Sequence, residues 1–118
     1  MKLLIGVLFL FNGLFLSSEV VCKTGRATYY ANKFEGRRTT SGAVYRHKKF
    51  TAAHKTLPFG TEVTVTNIKN GKCVTVVVND RGPYGKGMMI DLSQSAAKEI
   101  GIYGAGTAMC EISYCLDN

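Results

Sequence analysis

The chain has 118 residues and carries 15 Lys and Arg against 8 Asp and Glu, a formal charge of +7, with 46% hydrophobic and 19% charged residues. That length holds one small domain. Thirteen glycines, two prolines and an ample apolar fraction exclude collagen-like and disordered chains, which lack the apolar residues to build a core.

The first element in chain order is an export signal. Lys2 precedes an apolar run from Leu3 to Leu16, broken only by Gly6, Asn12 and Gly13. The run is shorter than the roughly 20 apolar residues a membrane span needs, and no second run follows. Residues 1–18 therefore read as a signal peptide with cleavage between Ser18 and Cys22, and not as a stable membrane anchor. Glu19, Val20 and Val21 do not supply the small residue that lipoprotein processing before Cys22 requires. One domain, residues 24–116, follows.

Short β-prone runs divided by Gly, Asn and Pro fill that domain. Strands are expected at Gly25 to Tyr30, around Phe50 to Ala53, and from Gly106 to Leu116. Between them, Thr61 to Ile68 alternates Val63 and Val65 with threonines, and Cys73 to Val78 is almost continuously apolar. Asn70-Gly71 tolerates the positive φ angles of a tight primed turn, so these two runs are predicted to form an antiparallel hairpin. Ser93 to Ile100 reads as one short helix, opened by a capping serine and stopped by Gly101. Many short strands with one small helix predict a mainly β fold, a compact barrel or sandwich whose closure hides strand edges.

The four cysteines, Cys22, Cys73, Cys110 and Cys115, show no CxxC spacing, so no metal is expected. With an export signal, oxidised pairing is the expectation. Cys110 and Cys115 are too far apart along one strand, at roughly 3.3 Å per residue, to bridge each other. Cys73 with Cys110 in the barrel wall and Cys22 with Cys115 at the domain ends is the expected pairing, although four cysteines permit three connectivities. Basic residues gather at Lys33, Arg37, Arg38, Arg46, Lys48, Lys49 and Lys55, with Glu35 the one acid among them. They form either a face for an anionic partner or a solvated surface. No reader motif accompanies them, so no nucleic-acid partner is expected.

The residues suited to chemistry lie in Gly25-Arg26-Ala27-Thr28-Tyr29-Tyr30, Arg38-Thr39-Thr40-Ser41-Gly42, Thr51-Ala52-Ala53-His54-Lys55-Thr56-Leu57-Pro58-Phe59-Gly60-Thr61, Val78-Asn79-Asp80-Arg81-Gly82-Pro83-Tyr84 and Ile90-Asp91-Leu92-Ser93. In this order and spacing they closely resemble the rare lipoprotein A family. The resemblance implies a six-stranded double-psi β-barrel, exported to the periplasm or cell wall. It further implies a lytic transglycosylase that cleaves peptidoglycan between N-acetylmuramic acid and N-acetylglucosamine and leaves 1,6-anhydromuramoyl ends. That chemistry needs a carboxylic acid to protonate the leaving oxygen, whose carboxylate can then take the 6-hydroxyl proton, so one acid can serve both steps with no metal or organic cofactor.

On this resemblance Asp80 is the expected acid, held where an apolar strand opens into a Gly-Pro turn. His54 is the expected second catalytic group, a side chain that titrates near neutrality. Tyr29, Tyr30, Arg81, Tyr84 and Ser41 are expected to bind substrate, the tyrosines by stacking on sugar faces. Neighbours on a strand face opposite ways, so one of Tyr29 and Tyr30 is expected in the core. Asp91 reads as a structural cap on the helix, and His47 as surface. The family commonly places a glutamate after its Ser-Gly; this chain has Ala43. A non-catalytic glycan-binding or expansin-like wall-loosening module is the alternative. The expected partner is the peptidoglycan glycan strand, met by a monomer.

Overall fold

The structure, a computed structural model, describes residues 18–117. Of the expected signal peptide, residues 1–18, all but Ser18 lie outside them. Six strands run β1 (Ser18–Tyr29), β2 (Thr51–His54), β3 (Glu62–Asn67), β4 (Cys73–Asp80), β5 (Met88–Leu92) and β6 (Ala108–Asp117), with a single α-helix among the described residues, α1 (Gln94–Glu99), after β5. They close into a barrel in the order β1-β5-β2-β4-β3-β6. Two neighbouring pairs, β1 with β5 and β2 with β4, are parallel, and each carries one register shift. The expected mainly β fold with one short helix is what forms.

Alternation explains the wall. Val63 and Val65 on β3, and Val74, Val76 and Val78 on β4, turn inward, while the residues between them face out. Ile90, Leu92 and Ile112 complete a core covered by Ala96 and Ala97 of α1 and by Ile100 at its C-terminal cap. Each fully buried Val, Leu or Ile contributes roughly 1.5–3 kcal/mol against exposure. Gly25 exists for a steric reason: a Cβ there would lie 2.8 Å from the Met89 sulfur.

The hairpin forms as expected, pairing Thr66 with Cys73, but its turn differs. Asn67 N–H bonds Lys72 O and Gly71 N–H bonds Asn67 O, enclosing a four-residue loop in which Gly71 alone, and not Asn70, has positive φ. Asn70 instead donates to Ile100 O, tying the loop to the end of α1. Strand β1 starts earlier than expected, because Ser18 to Thr24 pair with Asp117 to Glu111 of β6. Strand β5 escaped the sequence reading, since Met88-Met89 carries little β-propensity and Asp91 interrupts the apolar run.

All four cysteines are free thiols, which corrects both expected bridges. Cys110 is buried and Cys73 exposed, and β3 lies between their strands, so the two point to opposite faces of the wall. Cys22 pairs with Ser113 and Cys115 with Val20, a diagonal offset. Diagonal neighbours lie about 7–8 Å apart, beyond ordinary disulfide reach.

Candidate active site

A β-bulge builds the site. Ala52 pairs with Val78 but Ala53 pairs with Asp80, so Asn79 is the extra residue. Bulges re-aim side chains, and here the shift turns Asp80 away from the face of Val78 and onto the outer face shared with Ala53. From the other flank, Asp91 of β5 also pairs with Ala53. Two carboxylates thus bracket one alanine, their strands two ladder spacings apart, roughly 10 Å.

Residues 31–50 fold over this outer face. Tyr30 stacks on Tyr45 with centroids 4.1 Å apart, and Phe34 meets Tyr30 edge-on at 5.8 Å. Gln94 anchors the cover, its side-chain amide donating to Tyr30 O at 3.0 Å and to Asn32 Oδ1 at 2.8 Å. The Tyr45 hydroxyl accepts from Gln94 N–H at 3.2 Å, which leaves its own proton for His47 Nδ1 at 2.8 Å. His47, expected as plain surface, is therefore wired into the cover; its carbonyl also accepts from Ser95 at the start of α1.

Asp80 is held by three donors. The Tyr30 hydroxyl reaches Oδ2 at 2.6 Å, while the Thr40 and Arg81 N–H groups reach Oδ1 at 2.8 and 2.9 Å. Burial alone would push this carboxyl up, but the hydrogen bonds overcome it and hold Asp80 below its ordinary value. The three hydrogen bonds thus favour the ionised form of Asp80. Tyr30 is pushed far above its usual range by burial, its bond to Asp80 and the charges of Asp80 and Asp91. It remains a phenol.

Asp91 has the opposite environment. Its Oδ1 is buried without a hydrogen-bond partner, and burial together with the nearby Asp80 charge pushes its carboxyl up to about 7. It does not cap the helix, because the Ser93 hydroxyl accepts from Ala96 N–H and fills that role. Asp91 takes instead an outward position of β5, opposite Ala53.

His54 does not join the carboxylates. Its Nδ1 accepts from Thr56 and Leu57 N–H groups, both at 3.1 Å, which fixes the neutral ring as the Nε2–H tautomer. Burial, then the charges of Arg81, Lys23 and Lys55, hold it below the usual imidazole value. Arg81 fastens the same turn, donating from Nη1 to His54 O and Leu57 O, with its guanidinium 4.1 Å from the Phe59 ring centre. Tyr29 leaves the site: it packs on the core and Tyr103 and accepts from Gly104 N–H at 3.0 Å. Tyr84 stands 83% exposed beyond Asp80 and is free to meet a ligand. Ser41 closes the Thr39–Ala43 turn through its hydroxyl and reaches Asn79 O through its N–H, so its first role is to seat the turn that delivers Thr40 N–H. Ala43 lies exposed on that rim.

A closed six-stranded barrel with two bulged parallel pairs is the double-psi architecture, and solved structures of that kind superpose on it. The Streptomyces papain inhibitor matches with a TM-score of 0.64 at 24% identity, covering 81% of this chain and 94% of that one. A mutant Clavibacter michiganensis expansin, in complex with cellohexaose, matches with a TM-score of 0.64 at 21% identity, over 80% of this chain and 50% of that one. These likenesses establish the fold alone. The chain belongs to the lytic transglycolase family, whose pattern it matches over residues 22–112. It is 48% identical over 99 residues to the probable endolytic peptidoglycan transglycosylase RlpA of Treponema pallidum, covering 84% of this chain and 31% of that protein. To the endolytic peptidoglycan transglycosylase RlpA of Pasteurella multocida it is 52% identical over 84 residues, 71% of this chain and 29% of that one. The chain thus spans about a third of the length of these curated relatives.

Proposed function

We propose that this chain is an exported lytic transglycosylase of peptidoglycan. On this reading residues 1–18 act as the export signal and the barrel works on glycan strands in the periplasm or wall, as a monomer. The observation that carries it is the Asp80 carboxylate, fixed by Tyr30, Thr40 and Arg81 on a covered outer face and kept ionised. In the reaction the bond from C1 of N-acetylmuramic acid to the leaving oxygen breaks while the 6-hydroxyl of the same sugar closes on C1. The anhydro ring replaces water as the acceptor. A carboxylate beside C1 stabilises the oxocarbenium-like charge and takes the 6-hydroxyl proton. Asp80 has the charge for both tasks. Neutral His54 donates only through Nε2–H, and Tyr84 supplies an open ring on which a sugar can stack.

Relatives named endolytic peptidoglycan transglycosylases support the reaction class. Ala43 favours a second reading, a glycan-binding module that does not cut. Incubation with glycan strands lacking stem peptides, followed by mass spectrometry for 1,6-anhydromuramoyl ends, separates the two. Anhydro product that Asp80→Asn abolishes supports the enzyme; retained glycan binding without product supports the module.

A further inference from the structure

We infer that Asp91, and not Asp80, delivers the proton to the leaving glycosidic oxygen, so that the two carboxylates flanking Ala53 divide the acid and base roles. This rests on the lytic reading above. Elimination narrows the donors first. Asp80 receives three hydrogen bonds that all favour its ionised form. Protonating His54 at Nδ1 would set a third N–H against those of Thr56 and Leu57. Glu35 is engaged by Arg46 at 3.2 Å and by His47 N–H at 2.7 Å, a pairing that keeps it a carboxylate. Position 43 offers only a methyl group.

Asp91 has what an acid requires. Its buried Oδ1 receives no donor, so nothing in the protein replaces the water that would solvate the ionised form. The titratable groups that face it are the Asp80 carboxylate on β4, the Tyr30 phenol that follows β1 and the Tyr45 phenol of the cover. Its strand partners contribute Thr28 of β1 and Ala53 of β2. None of these is a cation. Two carboxyl groups whose surroundings push their proton affinities apart are the signature of an acid and base pair.

The step balances without water. Asp91 gives its proton to the leaving oxygen as the C1 bond breaks, the 6-oxygen bonds to C1, and Asp80 takes the 6-hydroxyl proton. Solvent then returns that proton from Asp80 to Asp91. Such a pair also accounts for a working site with alanine at position 43, because the second carboxylate comes from β5.

The test compares Asp91→Asn with Asp80→Asn on two substrates, peptide-free glycan strands and a 4-nitrophenyl glycoside of N-acetylglucosaminyl-N-acetylmuramic acid, whose leaving group needs no proton. Asp91→Asn is expected to lose about 10²–10⁴-fold on glycan strands yet keep near wild-type turnover on the aryl glycoside. The alkaline fall in its pH profile disappears as well. Asp80→Asn loses both substrates. Carbon-13 NMR of the carboxyl groups in the intact chain is expected to place Asp91 titrating near neutrality while Asp80 stays ionised into acid. Undiminished strand cleavage by Asp91→Asn, an equal loss on both substrates, or an Asp91 midpoint below about pH 5 overturns the assignment. A wild-type chain that binds strands but yields no anhydro product overturns the lytic reading itself, a result distinct from these.

Discussion

Replacing Asp91 by Asn tests the electrostatics of the site without any substrate. Asp91 has a carboxyl raised from 3.8 to about 7 by burial and by Asp80. At about 1.36 kcal/mol per pH unit, holding Asp91 ionised in the folded chain costs about 4 kcal/mol at most. Below pH ~4 both folded and unfolded chains carry the proton and the cost vanishes. Between about pH 4 and 7 the folded chain binds more protons than the unfolded one, so this contribution to stability falls as pH rises, then levels off. Asn cannot ionise and escapes the fall. The depressed value of His54 works the other way, its contribution being present above about pH 6.5 and lost as pH falls through the folded value. Because wild type and variant share it, it cancels in the difference. Urea unfolding from pH 4.5 to 8.5 is expected to show Asp91→Asn more stable than wild type by only about 1 kcal/mol at the acid end and by up to about 4 kcal/mol at the alkaline end. Stability curves that run parallel over the whole range would refute the reasoning.

Other expectations follow from single contacts. Ala43→Glu adds a carboxylate to the turn that seats Thr40 N–H on Asp80, and anhydro-product assays are expected to show a rise in turnover; no change favours the binding module. His54→Ala strips the acceptor from Thr56 and Leu57, and because Leu57 is buried, chemical denaturation is expected to record a loss of about 1–3 kcal/mol. A thiol-specific reagent should titrate Cys22, Cys73 and Cys115 in the folded chain and reach Cys110 only after unfolding; mass spectrometry of the labelled protein checks this. Tyr30→Phe keeps the ring on Tyr45 but removes the 2.6 Å donor to Asp80. Asp80 should then titrate closer to its ordinary value, and the acid limb of the pH profile should move to higher pH.

What the sequence made legible was whatever depends on near neighbours. Alternating valines placed the β3 and β4 hairpin, and Ser93 with Gly101 bounded α1. Asp80 was legible because it stands inside a long motif of unlike residues. What escaped depends on contacts between distant residues. The bulge at Asn79 is visible only once Ala53 is seen opposite Asp80. The cover is tied down by bonds such as Gln94 to Tyr30, 64 residues apart, and Thr40 to Asp80, 40 apart. Asp91 was misread for the same reason: adjacency to Ser93 suggested a helix cap, whereas its place on β5 sets it across Ala53 from Asp80. A proton affinity is a property of what surrounds a carboxyl in space. Asp80 and Asp91 occupy flanking positions on one face and differ because Tyr30, Thr40 and Arg81 all reach the former, while the Oδ1 of the latter receives no donor. Hydrogen bonds hold the Asp80 carboxyl down, and burial with the Asp80 charge pushes the Asp91 carboxyl up.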